Sequence, residues 1–331
     1  MSALHLNIDS YTLFWYYILG LVLLIGLAHI TTYFFNVRAA RLNLKTQRAF
    51  LLRTQRHLST FWWVLIAAIL VMVFGVTGAL VVCAIVSFMG LREFVTLTPV
   101  KSGDYRALFF SFFVFLPLQY VLIGLQEFGF FTVLIPVYAF LLLPILTIVH
   151  ADTDRFLSRS ASMQWGLMIA VYCLSHTVAI LQTQAVIDFS TAGKALMLLF
   201  FLILVRFSML WQHLADYAFR SRTTRIAAKI HSRMTWQGFV VSALMNALIA
   251  AAFFKLTPFT FWQAAIAGAL IASSAVFGRL VMRGITYSLG IKDWGELTGG
   301  QQGVMDRLDA FLYAAPIFFH YAQFVTEHGG F

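Results

Sequence analysis

The chain has 331 residues, 61% of them hydrophobic and 11% charged, with a mean hydropathy of +0.84. A soluble domain carries about a quarter charged residues, so this composition excludes one and points to an integral membrane protein. The net charge of +10 matches basic loops facing anionic lipid and does not call for nucleic acid as a partner.

The first apolar run, 13–35, is too long for a signal-peptide core. It also lacks a basic leader and a small-residue cleavage site, and is expected to be a retained span. Further apolar segments follow at 60–75, 77–95, 107–124, 129–149, 165–183, 195–215, 236–254, 258–280 and 308–326. Backbone amides left bare in lipid are too costly, so an all-α integral membrane protein is expected, a polytopic bundle of about nine to ten transmembrane helices. Segments two and three are separated only by Gly75-Val-Thr-Gly78, which leaves open a hairpin or a broken pair. No repeat, linker or domain boundary interrupts 1–331, which is expected to be a single membrane domain.

The segment 36–59 carries Arg38, Arg41, Lys45, Arg48, Arg53 and Arg56 among apolar residues. It suits an amphipathic helix on the headgroups, a basic loop that sets topology or, third, a phosphate-binding element. Alternating sides from there places twenty of the 23 Lys and Arg residues on one side. By the positive-inside rule that side is the cytoplasm, with both termini outside and 290–309 inside.

Three ionisable residues fall deep in spans: His176, Arg206 and His320. Arg206 could bind a lipid phosphate, snorkel or pair with a backbone carbonyl. The histidines are expected to be hydrogen-bonded core residues. Cys83 and Cys173 lie in apolar runs and are expected to be small buried hydrophobes.

The stretch 290–309 is the most polar in the chain. It holds Asp293, Glu296, Asp306 and Asp309, four of the 13 acids, together with five glycines, Lys292 and Arg307. Asp306 and Asp309 are three apart, which on a helix puts both carboxylates on one face. Such a pair binds phosphates well with a divalent cation between, since Mg2+ takes one or two carboxylates plus phosphate oxygens. A polar interfacial turn with salt bridges has the same spacing.

Several strings here resemble a known family. Lys292-Asp293, twelve intervening residues and Asp306-Arg307-Leu308-Asp309 resemble the C-terminal signature of the CDP-diacylglycerol synthases, or phosphatidate cytidylyltransferases. Thr235-Trp236-Gln237-Gly238-Phe239 and Ile226-Ala-Ala-Lys-Ile230 resemble two upstream pieces of the same family. The likeness is concentrated in the last hundred residues. This chain departs from the pattern at Met234, where the family has lysine. It also departs at Arg279 (aspartate), Arg283 (serine), Thr286-Tyr287 (a Lys-Arg pair) and Gln301 (histidine). The aspartate and tyrosine of the family's preceding span are not recognisable, although Asp216-Tyr217-Ala218 lies close by.

The resemblance implies a catalytic region over 190–326 with its signature loop at 278–309. It implies an enzyme that joins CTP and phosphatidate into CDP-diacylglycerol and pyrophosphate, in phospholipid biosynthesis at a bacterial inner membrane, with Mg2+ as cofactor. Asp293, Asp306 and Asp309 are the expected metal ligands and, with Lys292, the expected catalytic residues. Arg206, Arg233, Thr235, Arg279, Arg283 and Arg307 are the expected substrate contacts, and a homodimer is the expected assembly. Two alternatives stand beside it: a related enzyme with another nucleotide or lipid phosphate, and a catalytically silent paralogue that binds lipid or acts as a scaffold.

Overall fold

The computed structural model describes residues 9–149, 153–219, 224–230, 234–291, 294–295 and 303–328. Its helices are α1 (Ser10–Arg41), α2 (Lys45–Thr96), α3 (Ser102–Gly124), α4 (Phe128–Ile148) and α5 (Phe156–Gln182). They continue with α6 (Thr191–Ala218), α7 (Trp236–Ala252), α8 (Phe261–Leu289), α9 (Val304–Leu308) and α10 (Phe311–Glu327). Among the described residues the isolated β-type pairing is the bridge between Arg225 and Thr235. Seven of the helices are long and apolar enough to cross a membrane, and the protein is an all-α polytopic membrane protein.

The 52-residue α2 would be about 78 Å long if straight, more than twice a bilayer core. It breaks at Gly75, whose φ of 66° and ψ of −165° are not helical. His57 on one side of the break lines the same cavity as Asp306. Glu93 on the other side accepts a hydrogen bond from the Met305 N–H at 2.8 Å. A straight helix would hold residues 57 and 93 about 54 Å apart, so α2 folds back at Gly75 into two antiparallel limbs. Segments two and three are therefore a hairpin. With these limbs counted separately and the shorter α7 and α10 added, the described residues hold ten helical segments, where nine to ten spans were expected. The segment 36–59 is not a loop: α1 runs to Arg41 and α2 starts at Lys45.

Lipid offers helices no hydrophobic reason to associate, so close backbone approach and hydrogen bonds between helices take over. A Cβ on Gly268 of α8 would sit 2.4 Å from the Asn246 carbonyl oxygen of α7. Asn246 Nδ2 donates to the Leu204 carbonyl at 3.0 Å, and Ser242 Oγ to the Ser208 carbonyl at 2.9 Å. These contacts fix α6, α7 and α8 as one unit, which α10 joins through Tyr313 against Gly278.

His176 is a core histidine, as expected: it is fully buried and its Nδ1–H donates to the Tyr172 carbonyl at 2.7 Å. His320 differs. It sits on the exposed side of α10, because the neighbouring helical position, Phe319, takes the inward direction.

Candidate functional site

α8 ends at Gly290, which takes the left-handed conformation (φ 70°) that a helix C-terminus favours and glycine adopts without strain. The chain returns through the short α9, turns at Asp309 and Ala310, and enters the membrane again as α10. Asp306 Oδ2 accepts the Trp294 backbone N–H at 2.9 Å. Asp309 lies at the turn with its Oδ2 3.3 Å from Arg279 Nε, a pair that joins α8 to the start of α10. The helical stretch stops between the two acids, yet both face one cavity.

That cavity is about 790 Å³ in volume. Its walls come from α2, α6, Arg225, Met234 and Thr235, α8 and α9, with Asp309 at the turn. It is lined by eight cationic side chains: Lys45, Arg53, Arg56, Arg206, Arg225, Arg279, Arg283 and Arg307. Three carboxylates share it: Asp216, Asp306 and Asp309. The surplus of positive charge in a partly enclosed space suits a polyanion, because guanidinium groups grip phosphate oxygens in fixed geometry.

The sequence-expected residues Arg206, Thr235, Arg279, Arg283, Asp306, Arg307 and Asp309 all line this cavity. Lys292, Asp293 and Arg233 lie outside the described residues. Arg206 does what one of its three readings foresaw. Its Nη2 donates to the Arg307 carbonyl at 3.0 Å while its guanidinium lies 4.4 Å from the centre of the Phe311 ring. Thr235 is more committed than a substrate contact would be. Its N–H and hydroxyl donate to Asp216 Oδ1 at 3.1 and 2.6 Å, and the hydroxyl oxygen accepts the Gly238 N–H at 3.0 Å as the cap of α7. Gln212 Nε2 donates to the same carboxylate oxygen at 2.9 Å.

The first limb of α2 also lines the site, although the sequence favours headgroups or a topology-setting loop over phosphate binding for it. Lys45, Ala49, Arg53, Arg56 and Thr60 line the cavity at spacings of three and four, a single helix face. That periodicity was the available signal. Phe50 of this limb stacks on Tyr217 of α6 at 3.9 Å and on His213 at 4.9 Å, and His213 in turn stacks on His57 at 5.1 Å. Thr54 Oγ1 lies 3.2 Å from His213 Nε2. The aromatic column holds the cationic face of α2 against α6.

As for a metal, no cluster of three or more His, Cys, Asp or Glu ligands occurs among the described residues. Asp306 and Asp309 supply hard oxygen donors beside a polycationic cavity. This donor set fits a cation that completes its coordination with water and substrate phosphates.

A family model described as the Cytidylyltransferase family matches residues 54–325. The chain belongs to the Cytidylyltransferase family. It is 30% identical over 267 residues to the uncharacterized protein YnbB of Escherichia coli (strain K12), covering 80% of this chain and 85% of that protein. It is 37% identical over 89 residues to a phosphatidate cytidylyltransferase of Mycobacterium bovis, covering 26% of this chain and 28% of the relative. Over 135 residues it is 30% identical to a phosphatidate cytidylyltransferase of Haemophilus influenzae, covering 38% of this chain and 46% of the relative. The chain thus matches less than half the length of these two relatives. Membership in this family makes the protein a membrane nucleotidyltransferase by class, and the match starts inside the first limb of α2.

Proposed function

We propose that this protein transfers a cytidylyl group from CTP to phosphatidate, yielding CDP-diacylglycerol and pyrophosphate. The observation that carries the reading is one cavity lined by eight cations together with Asp306 and Asp309, within a member of the Cytidylyltransferase family. In the reaction a phosphate oxygen of phosphatidate attacks the α-phosphorus of CTP. The new P–O–P bond forms as the bond to the β-phosphate oxygen breaks, and pyrophosphate leaves with that electron pair. The lipid phosphate is already ionised, so positioning and charge neutralisation dominate.

Mg2+ held by Asp306 and Asp309, with Asp293, would supply charge neutralisation at the triphosphate. Arg283, Arg307 and Lys292 would hold phosphate charge. Arg279, anchored by Asp309, would face the same substrate, and Arg206 would face the lipid headgroup. The Lys and Arg bias supports a cavity on the cytoplasmic side, where CTP is available, and the bacterial relatives support an inner membrane. The family resemblance adds a homodimer, which the mass of the detergent-solubilised protein would test.

One observation favours a second reading. Asp309 is ion-paired with Arg279, and Asp306 accepts a backbone N–H, so both acids are partly engaged within the protein. A different nucleotide or lipid phosphate, or a silent lipid-binding scaffold, accommodates that engagement. The deciding experiment supplies purified protein with Mg2+, phosphatidate and labelled CTP. Labelled lipid that disappears with Asp309→Ala supports the proposal. Product only with UTP or ATP moves the reading to a related transferase. No product with any of the three, and unchanged cellular function of Asp309→Ala, leaves the scaffold.

A further inference from the structure

Glu93 is a carboxylate near the end of the second limb of α2, next to the outward-facing Arg92, and is only 8% exposed. It belongs to none of the strings that mark the signature loop. Its Oε2 accepts the Met305 N–H at 2.8 Å, and the Val304 N–H lies close enough to act electrostatically on the same carboxylate. These are the opening amides of α9, the helix that carries Asp306. A Cβ on Gly303 would fall 1.8 Å from Glu93 Oε1, so the backbone approaches the carboxylate as closely as glycine allows.

The neighbouring positions of α2 act on the same segment. Phe94 stacks on Trp294 with ring centres 5.4 Å apart. Trp294 is 1% exposed, and its own N–H is the donor to Asp306 Oδ2. Gly90 leaves space for the Met305 sulfur, which would lie 3.1 Å from a Cβ placed there. One turn of α2 therefore clasps both strands of chain that meet at Asp306: Phe94 through Trp294 on one side, Glu93 through Met305 on the other.

We propose that Glu93 is a positioning residue that fixes the start of α9 and thereby aims the Asp306 carboxylate into the phosphate cavity. The proposal rests on the nucleotidyl-transfer reading for its catalytic consequence, but the clasp itself has a readout that needs no activity. A carboxylate can take two amide donors at once; the amide of glutamine offers one oxygen and turns its NH2 toward the other donor. Alanine offers neither acceptor and leaves buried N–H groups unpaired.

The test uses the full chain in detergent or vesicles, with Cys83 and Cys173 changed to alanine and Met305→Cys as a reporter. Met305 is fully buried, so its cysteine is expected to react slowly with a water-soluble maleimide. Adding Glu93→Ala should raise that rate about tenfold or more, reporting local opening, and Glu93→Gln should give an intermediate rate. In the otherwise native chain Glu93→Ala should lower kcat at least about tenfold and raise the half-saturating Mg2+ concentration. KM for phosphatidate should stay within about twofold, the split that distinguishes misaimed Asp306 from general damage. Equal labelling rates in all backgrounds overturn the clasp. Faster labelling in a protein whose parent makes no nucleotidyl-lipid retains the clasp and removes the enzymatic reading. Normal kcat and Mg2+ dependence in Glu93→Ala, with an active parent, overturn the positioning role alone. Should Glu93→Ala fail to fold, Glu93→Gln decides by the same two readouts.

Discussion

Arg279 Nε stands 3.3 Å from Asp309 Oδ2, so the cation on α8 and the acid at the α10 turn act as a unit. Arg279→Ala is expected to lower kcat/KM about 100-fold, by removing a charge from the cationic cavity and releasing its partner. The double variant Arg279→Ala/Asp309→Ala should be little worse than the more damaging single change, because residues in one ion pair are not additive. Full additivity in a double-mutant cycle of transferase activity would show that the pair is incidental.

The node at Asp216 makes a prediction about stability rather than chemistry. A Cβ on Gly238 would meet Gln212 Nε2 at 2.3 Å and Asp216 Oδ1 at 2.4 Å. Gly238→Ala should therefore cost about 2 kcal/mol through forced repacking, seen as a lower midpoint of thermal unfolding. Asp216→Ala should cost a similar amount, about 1–3 kcal/mol, since it strands the Thr235 N–H and hydroxyl donors and leaves the Gln212 amide only its bond to the Thr235 carbonyl. Gly284 on α8 has nothing within 4 Å of a Cβ, so Gly284→Ala is the control and should not lower the midpoint.

Gly75 carries the turn between the limbs of α2. Its φ of 66° with ψ of −165° belongs to a region that side chains hardly enter. Although open space surrounds its Cβ position, Gly75→Ala is expected to cost about 1–3 kcal/mol from backbone strain alone. An unchanged thermal midpoint would mean that the turn can reorganise freely.

The cationic face of α2 predicts a kinetic signature. Arg53→Gln/Arg56→Gln removes two charges from the cavity wall while leaving Asp306 and Asp309 in place. The half-saturating CTP concentration should rise about tenfold with a smaller change in kcat, the pattern of lost ground-state binding. The effect should shrink as salt is added. A fall in kcat with unchanged CTP saturation would assign the pair a different role.

Much of this was legible in the residues because membrane folding imposes strong local rules. Runs of apolar residues marked the spans, and a cluster of acids in a chain with 13 of them pointed to the candidate site. Where the pattern was silent, tertiary packing made the choice. A helix face of Lys45, Arg53 and Arg56 suits lipid headgroups and a phosphate cavity equally well; the packing of Phe50 and His57 on Tyr217 and His213 turns it inward. Gly75 could be a break or a hairpin until both limbs are seen to touch α9. Glu93 did leave a trace, an acid within a span-like run, which in membrane proteins is a functional residue by default. Its partners are main-chain amides, and those have no signature in a sequence.

The hydrogen bond between Glu93 and Met305 joins residues 212 positions apart, and this has a consequence for biogenesis. At typical synthesis rates the ribosome takes about ten to forty seconds to cover that interval. Throughout it, α2 has been made but the amides that will cap its acid have not. The hairpin must wait at the membrane with Glu93 in water or in temporary company, and the cavity's first cationic wall must stand open. Closure then comes with almost the last helix. Chains cut short before α9 are therefore expected to be targets for membrane quality control rather than partly active enzymes.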